Sequence, residues 1–244
     1  MAKSKILDAV LEKDNRTAPL KVVFVDVQAF TKRRSRTQAE VVDAFMACLK
    51  EGLKRVSRQY AEYALADGLD FQSDVIAIPL GDGAVVAFPF EGLSSVHLDF
   101  AKGVLDIVHS RNKTIGCEKF VKQGWCNCHS AFNLSVGVSD GPGIIYRDAN
   151  GNFNVAGNVV NMAACVRQLA GPGRIIFSEE AHNQIIDKVD NPYLDENFRQ
   201  FEGVGIKHGR RIDVYQYIEQ DCASIDSTPP KELALCAHFD RVER

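Results

Sequence analysis

No apolar run in this 244-residue chain approaches the ~18–20 residues that a membrane span needs. The N-terminal stretch MAKSKILDAVLEKDNRTAP is polar and lacks the apolar core of a signal peptide. Positive charge is not in excess, with 29 Lys+Arg against 32 Asp+Glu and a net charge of -3. No broad cationic field is therefore available for nucleic acid. Internal repeats and low-complexity tracts are also missing. The 7 cysteines are odd in number and scattered, unlike a disulfide framework, and most read as small buried hydrophobes in a reducing compartment. These absences point to a cytoplasmic globular protein with no membrane span and no nucleic-acid partner. A hydrophobic share of 45% and a charged share of 25% are ordinary for that class. The length suits one domain with appendages, large enough to bury a core without staples.

Hydrophobic periodicity gives the order of elements. KVVFVDV, residues 21–27, reads as a buried strand. Thr37 and Glu40 form a T-x-x-E capping box ahead of a helix over roughly 38–64. DVIAIPL and AVVAF form a hairpin around Gly81-Asp82-Gly83. Ser94 or Ser95 caps a second helix carrying Val96, Phe100, Val104, Ile107 and Val108, and 111–130 follows as an irregular insertion. FNLSVGV is a strand ending at Asp140-Gly-Pro-Gly, and a short strand leads to Gly157. NVVNMAACVRQLA is a helix, RIIF a strand, SEEAHNQIIDKV a helix capped by Ser178, and IDVYQYI a last strand. Residues 219–230 read as a linker and KELALCAHFDRVER as a short tail helix. Hairpins mixed with crossover helices argue an α+β sandwich, and its first part matches the β-α-β-β-α-β ferredoxin-like unit.

Two acids stand out. Asp26 ends an apolar strand, where burial normally excludes charge. Asp82 sits at a hairpin tip, where Asp-Gly also serves as plain turn chemistry. In a ferredoxin-like sheet these elements are neighbours, so the two carboxylates can share divalent metal, activate a hydroxyl and stabilise leaving pyrophosphate. The amides of Ala29, Phe30 and Thr31 follow the strand and can cradle phosphates. Cys117, Cys126, Cys128 and His129 offer soft ligands, but C-x₈-C-x-C-H matches no common zinc spacing, which favours unligated thiols.

Five motifs in serial order are VVFVDVQAFT, PLGDGAVVAF, SVGVSDGPG, VAGNVVNMAA and LAGPGRIIFSEEA. Together they resemble the class III nucleotidyl cyclase catalytic domain over about residues 20–218. That division leaves an N-terminal segment, 1–19, and a linker with tail, 219–244. The resemblance implies a ferredoxin-like sandwich pairing head to tail as a homodimer, with active sites at the subunit interface. It implies that Asp26 and Asp82 hold two Mn²⁺ or Mg²⁺ ions, with the Val27 carbonyl as a further ligand. Phe30 and Thr31 would contact phosphates, and Asn161 of the partner subunit would orient the ribose.

Departures from the family pattern carry equal weight. The family usually has arginine four residues after that asparagine, where this chain has Cys165. Arg167 lies about 200° round a helix from Cys165 and cannot simply substitute. The charge must come from Lys207, Arg210, Arg211 or the basic TKRRSR segment. Lys207 has the better claim, because IKHGRRIDVY resembles the family's phosphate-contacting segment. At the two base-reading positions stand Ile78 and Asn154, which fit neither purine code. One amide suits a smaller ring with a carbonyl beside an N–H. Tyr60 or Tyr63 would fill the space of the missing second ring, unless both are helix core. The pattern resembles the bacterial pyrimidine cyclases of the Pycsar antiphage system. That resemblance implies UTP as the nucleoside triphosphate substrate, cyclic UMP as product and a cyclic-nucleotide-activated effector downstream. The alternatives are a cytidylate or purine cyclase, or a catalytically silent cyclase-homology module that binds a nucleotide or a partner.

Overall fold

The computed structural model describes residues 4–206 and 209–233. Lys207 and most of the expected tail helix lie outside the described residues. The chain opens with α1 (Lys5–Leu11), where the Ser4 hydroxyl accepts the Leu7 N–H as an N-cap. β1 (Thr17–Val27) follows, longer at its start than the KVVFVDV run. Side chains on a strand alternate between faces. Val23, Val25 and Val27 therefore join one core, while Leu20 and Val22 join another with Leu7 and Val10.

The long helix is broken in two, α2 (Ser35–Gln59) and α3 (Ala61–Asp67). The expected capping box does not form. Helix α2 starts earlier, and Thr37 is buried within it, 3.5 Å from the Asn127 carbonyl. Glu40 pairs with Arg36 instead, at 3.3 Å. The Asn127 side chain accepts the Arg34 N–H at 2.8 Å, so the insertion, not a local box, satisfies this helix start.

Next come α4 (Phe71–Asp74), β2 (Ile76–Pro79), β3 (Gly83–Phe88) and α5 (Val96–Ile115). Ser95 precedes α5 but caps nothing; its hydroxyl bonds Tyr60 and Asp99. Within the insertion lies a short helix, α6 (Glu118–Gln123). β4 (Leu134–Arg147) does not stop at Asp140-Gly-Pro-Gly but runs through it. The reason is pairing: β1 holds β4 in register from Thr17 opposite Ile144 to Val27 opposite Leu134. Pro19 faces Pro142, so the two missing donors fall on one rung.

The chain continues through β5 (Phe153–Ala156), α7 (Asn158–Ala170), β6 (Ile175–Ser178) and α8 (Glu179–Lys188). Ser178 caps α8 as expected, accepting the Ala181 N–H. β7 (Phe198–Gly205) was not foreseen, and β8 (Arg211–Tyr217) pairs with it. Among the described residues the sheet has 8 strands, ordered β2-β3-β1-β4-β6-β8-β7, with β5 on β4. Its first four strands have the ferredoxin-like order. The cores place α2, α5 and α8 on one face and α1 and α7 on the other. The 219–230 stretch is docked rather than free. Gln216 donates to the Asp226 and Thr228 carbonyls, and Asp226 N–H donates to the Gly173 carbonyl. Among the described residues, no helix is long and apolar enough to cross a membrane.

Candidate active site

Asp26 is the penultimate residue of β1, on the face covered by α7. It sits opposite Gly83, the first residue of β3. A Cβ on Gly83 would stand 2.9 Å from the Val25 carbonyl and 3.4 Å from the Asp26 carboxylate. Glycine therefore lets the acidic hairpin close down on the strand. The Val27 N–H donates to the Asp82 carbonyl at 2.8 Å and pins that hairpin. Burial holds the Asp26 carboxyl above the usual carboxylate range, Arg167 opposes the shift, and the negative charge of Asp82 adds to it. Two carboxylates near enough to repel, on neighbouring backbone turns, suit a hard divalent cation with oxygen ligands. These residues fit Mg²⁺ or Mn²⁺.

After β1, Ala29 adopts the left-handed region at φ 55° and turns the chain into a single 3₁₀ turn, Phe30–Lys32. The N–H groups of Ala29, Phe30 and Thr31 have no protein acceptor among the described residues. They are free to receive an anion beside the acids.

Sequence reasoning missed the partner of Asp26. Arg167 of α7 donates to the Asp26 carboxylate at 3.1 Å, and its guanidinium carbon lies 5.3 Å from the centre of the Phe24 ring. The two side chains are only 19% and 20% exposed. Gly137 makes this possible: a Cβ there would lie 2.2 Å from the Ala163 carbonyl and 2.5 Å from Arg167 N, so only glycine lets α7 pack so near β4. The 200° separation from Cys165, which bars Arg167 from replacing the family's arginine, also indicates which face it occupies.

Asn161 and Cys165 lie on the outer side of α7, with Asn158 and Gln168. They line a cavity of about 370 Å³ with Ile206 and Arg210. The cavity lining includes neither Asp26 nor Asp82, so Asn161 and the acids occupy separate places in one chain. Of the basic candidates, Arg210 reaches this cavity. Arg33 of TKRRSR is buried and donates to the Cys126 carbonyl, which removes it from the candidates. A larger cavity, about 750 Å³, lies near the start of β1 around Lys21 and Asp140 and is lined by neither Asp26 nor Asp82.

Ile78 on β2 is half-buried against the α7-side core, and Asn154 sits on β5, which lies against β2. The Asn154 side-chain oxygen accepts the Val155 N–H at 2.8 Å, which occupies the oxygen and leaves the NH₂ without a partner among the described residues. Tyr60 corrects the sequence expectation. Its hydroxyl bonds Ser95 at 2.8 Å and Asp99, and its ring stacks on Phe71 in the opposite core. Burial, then the Asp99 bond, pushes its pKa up. It braces α2 against α5 and is not placed to read a base with Ile78. Tyr63 is 65% exposed on α3.

The fold recurs in solved structures. The guanylate cyclase domain of RhGC from Catenaria anguillulae, in complex with GTP, matches 88% of this chain and 98% of its own, at 15% identity and a TM-score of 0.52. The guanylyl cyclase Cya2 matches 87% and 98%, at 11% identity and 0.58. An adenylate cyclase from Trypanosoma brucei in its monomeric state matches 88% and 93%, at 12% identity and 0.55. The chain has the fold of class III nucleotidyl cyclase catalytic domains. No protein-family model and no curated protein sequence matches it.

Proposed function

We propose that the chain is a nucleotide cyclase acting on a pyrimidine triphosphate, with UTP giving 3′,5′-cyclic UMP and pyrophosphate. The observation that carries the reading is the acid pair Asp26 and Asp82 beside the free amides of residues 29–31. In the reaction the 3′-oxygen bonds to the α-phosphorus, the bond from that phosphorus to the pyrophosphate oxygen breaks, and the hydroxyl proton is lost to solvent. Asp26, Asp82 and the Val27 carbonyl would hold two Mn²⁺ or Mg²⁺ ions, which when bound supply Lewis-acid charge at the reacting oxygens. The amides of Phe30 and Thr31 receive phosphate oxygens. Asn161 and the cation beside it, Arg210, with Lys207 close in sequence, serve the acids of a second subunit in a head-to-tail homodimer. The separation of Asn161 from Asp26 within one chain supports that composite site.

The Asn154 amide, with its oxygen engaged by the Val155 N–H and its NH₂ left over, supports uracil over cytosine. It presents a donor, which matches the 4-carbonyl of uracil and opposes the 4-amine of cytosine. Ile78 lies against the ring edge. By resemblance to the Pycsar cyclases, the product would switch on a cyclic-nucleotide-activated effector in antiphage defence. Cys165, with Arg167 held on Asp26, favours a second reading, a silent nucleotide-binding module.

Incubation of the dimer with each of four nucleoside triphosphates and Mn²⁺, with products identified by mass spectrometry, separates these readings. Cyclic UMP should dominate. A mispaired base edge costs roughly 1–3 kcal/mol, or about ten- to a hundred-fold in rate. Asp26→Ala and Asp82→Ala should abolish the product while leaving the protein folded. ATP or GTP turning over as fast as UTP would overturn the pyrimidine assignment, and no product from any of the four would establish the silent module.

A further inference from the structure

The insertion after α5 brings together the soft ligands that the sequence leaves far apart. Cys117 stands immediately before α6, and Gly124, at φ 75°, ends that helix and turns the chain back. The eight residues between Cys117 and Cys126 are thus taken up by a compact helical excursion, which is why the linear spacing looks unlike a metal motif. Donor atoms of Cys117, Cys128 and His129 lie within 4.8 Å of one another. The Cys117 and Cys128 sulfurs are 3.5 Å apart. The buried Cys126 thiol belongs to the same loop and donates to the His129 carbonyl at 3.3 Å. A disulfide needs sulfurs about 2.05 Å apart. Thiolates about 2.3 Å from a tetrahedral zinc stand roughly 3.8 Å from each other, close to the spacing here.

A second observation points to the same charge. Arg33 is buried, at 4% exposure, and only one of its nitrogens is bonded, to the Cys126 carbonyl at 3.1 Å. Its Nε and second terminal nitrogen have no partner, and no carboxylate pairs with it among the described residues. A buried guanidinium without a counter-charge is strongly unfavourable. Three thiolates and a neutral imidazole around Zn²⁺ carry a net charge of about -1, on the carbonyl side of this arginine. The apolar cluster beneath the loop is also small. It consists of Cys117, Phe120, Cys126 and Ala131, with Ile115 at its margin.

We propose that Cys117, Cys126, Cys128 and His129 bind one structural zinc ion. The inference is independent of the cyclase reading. It also gives the insertion a structural role. The Cys126 carbonyl accepts from the Arg33 guanidinium and the Asn127 side chain accepts the Arg34 N–H, directly after the Phe30–Lys32 turn, so the metal would help to fix the segment that carries the anion-receiving amides.

Elemental analysis of the full chain, expressed with zinc and desalted without chelator, should find about one zinc per chain. Cobalt put in its place should give a thiolate-to-metal charge-transfer band and tetrahedral visible bands. Cys117→Ser and Cys128→Ser should each lose most of the metal, whereas Cys222→Ser, outside the cluster, should keep it. If those variants fail to fold, the cobalt spectrum of the unaltered chain still decides. Wild-type protein that holds less than about one tenth of an equivalent, and shows no thiolate band with cobalt, overturns the proposal. So does zinc that survives both cluster substitutions.

Discussion

Arg167→Met removes the cation from Asp26 while keeping an unbranched stem against Phe24. In the free chain this leaves a half-buried carboxylate facing Asp82 alone. Truncating one member of a fully buried pair costs about 3–5 kcal/mol. With both groups near one fifth exposed, solvent screens part of that, and about 1–2 kcal/mol is the expected loss without divalent metal. The same substitution should help a divalent cation. An ion that takes Asp26 must first release Arg167, so its apparent affinity is reduced by whatever that pair contributes. At 1.4 kcal/mol per factor of ten, Mn²⁺ should bind about ten-fold more tightly to the variant. Its stability deficit should then shrink as Mn²⁺ is added. Urea unfolding with and without Mn²⁺, and titration of free Mn²⁺ by electron paramagnetic resonance, read both effects without any turnover. Unchanged or weaker Mn²⁺ binding in Arg167→Met would refute the competition, since the arginine would then be neutral toward the ion or supportive of it.

Gly137→Ala should destabilise the fold by about 2–4 kcal/mol in thermal or urea unfolding, because the new methyl lands on the α7 backbone; a loss under about 0.5 kcal/mol would mean that α7 is not seated as described. His97 is fully buried against Phe177 with neither ring nitrogen bonded, and burial, reinforced by Lys21, lowers its pKa to about 3. Below about pH 6.5 only the unfolded chain takes up that proton, so stability falls as pH drops toward 3, by up to about 1.4 kcal/mol per unit. In His97→Leu this share of the slope should vanish, and parallel stability–pH curves for the two proteins would count against a buried neutral histidine.

Legibility in the sequence followed the range of the interaction. Strand period and glycine-acid turns are local, so β1, the β2–β3 hairpin and the order of the first four strands could be read directly. Ser178 acts on the helix beside it and was read correctly as a cap. Thr37 looked equivalent, yet a residue 90 positions away occupies its helix start. The β4 continuation failed for a similar reason, because pairing with β1 overrides the breaking tendency of Gly-Pro-Gly. Strand β7 carries mixed polar residues and gains order only by pairing with β8. At the candidate site, Asp26 stood out because a charge at a buried strand end is unusual, and Asp82 because it sits between two glycines at the tip of the neighbouring hairpin. Tyr60 did not separate from a plain core residue, since its hydroxyl is satisfied by groups on α5. The insertion cysteines were masked by linear spacing, which ignores the helix folded between them.

Helix α7 settles where positive charge can act. Its inner face, seated on Gly137, carries Arg167 to the acid of its own chain. Its outer face presents Asn161 and Cys165 beside Arg210. Successive residues turn about 100°, so the two faces cannot be exchanged by side-chain rotation. An arginine at position 165 would therefore face away from this chain's own acids, as Asn161 does. Arg167 balances Asp26 within the chain and is held from the outer cavity by its packing on Phe24. Any cation acting together with Asn161 must then come from outside α7. Among the described residues that line the same cavity, Arg210 is the one that carries positive charge. Arg167 and position 165 thus occupy different faces of α7, and Arg210 is the described cation that shares a cavity with Asn161.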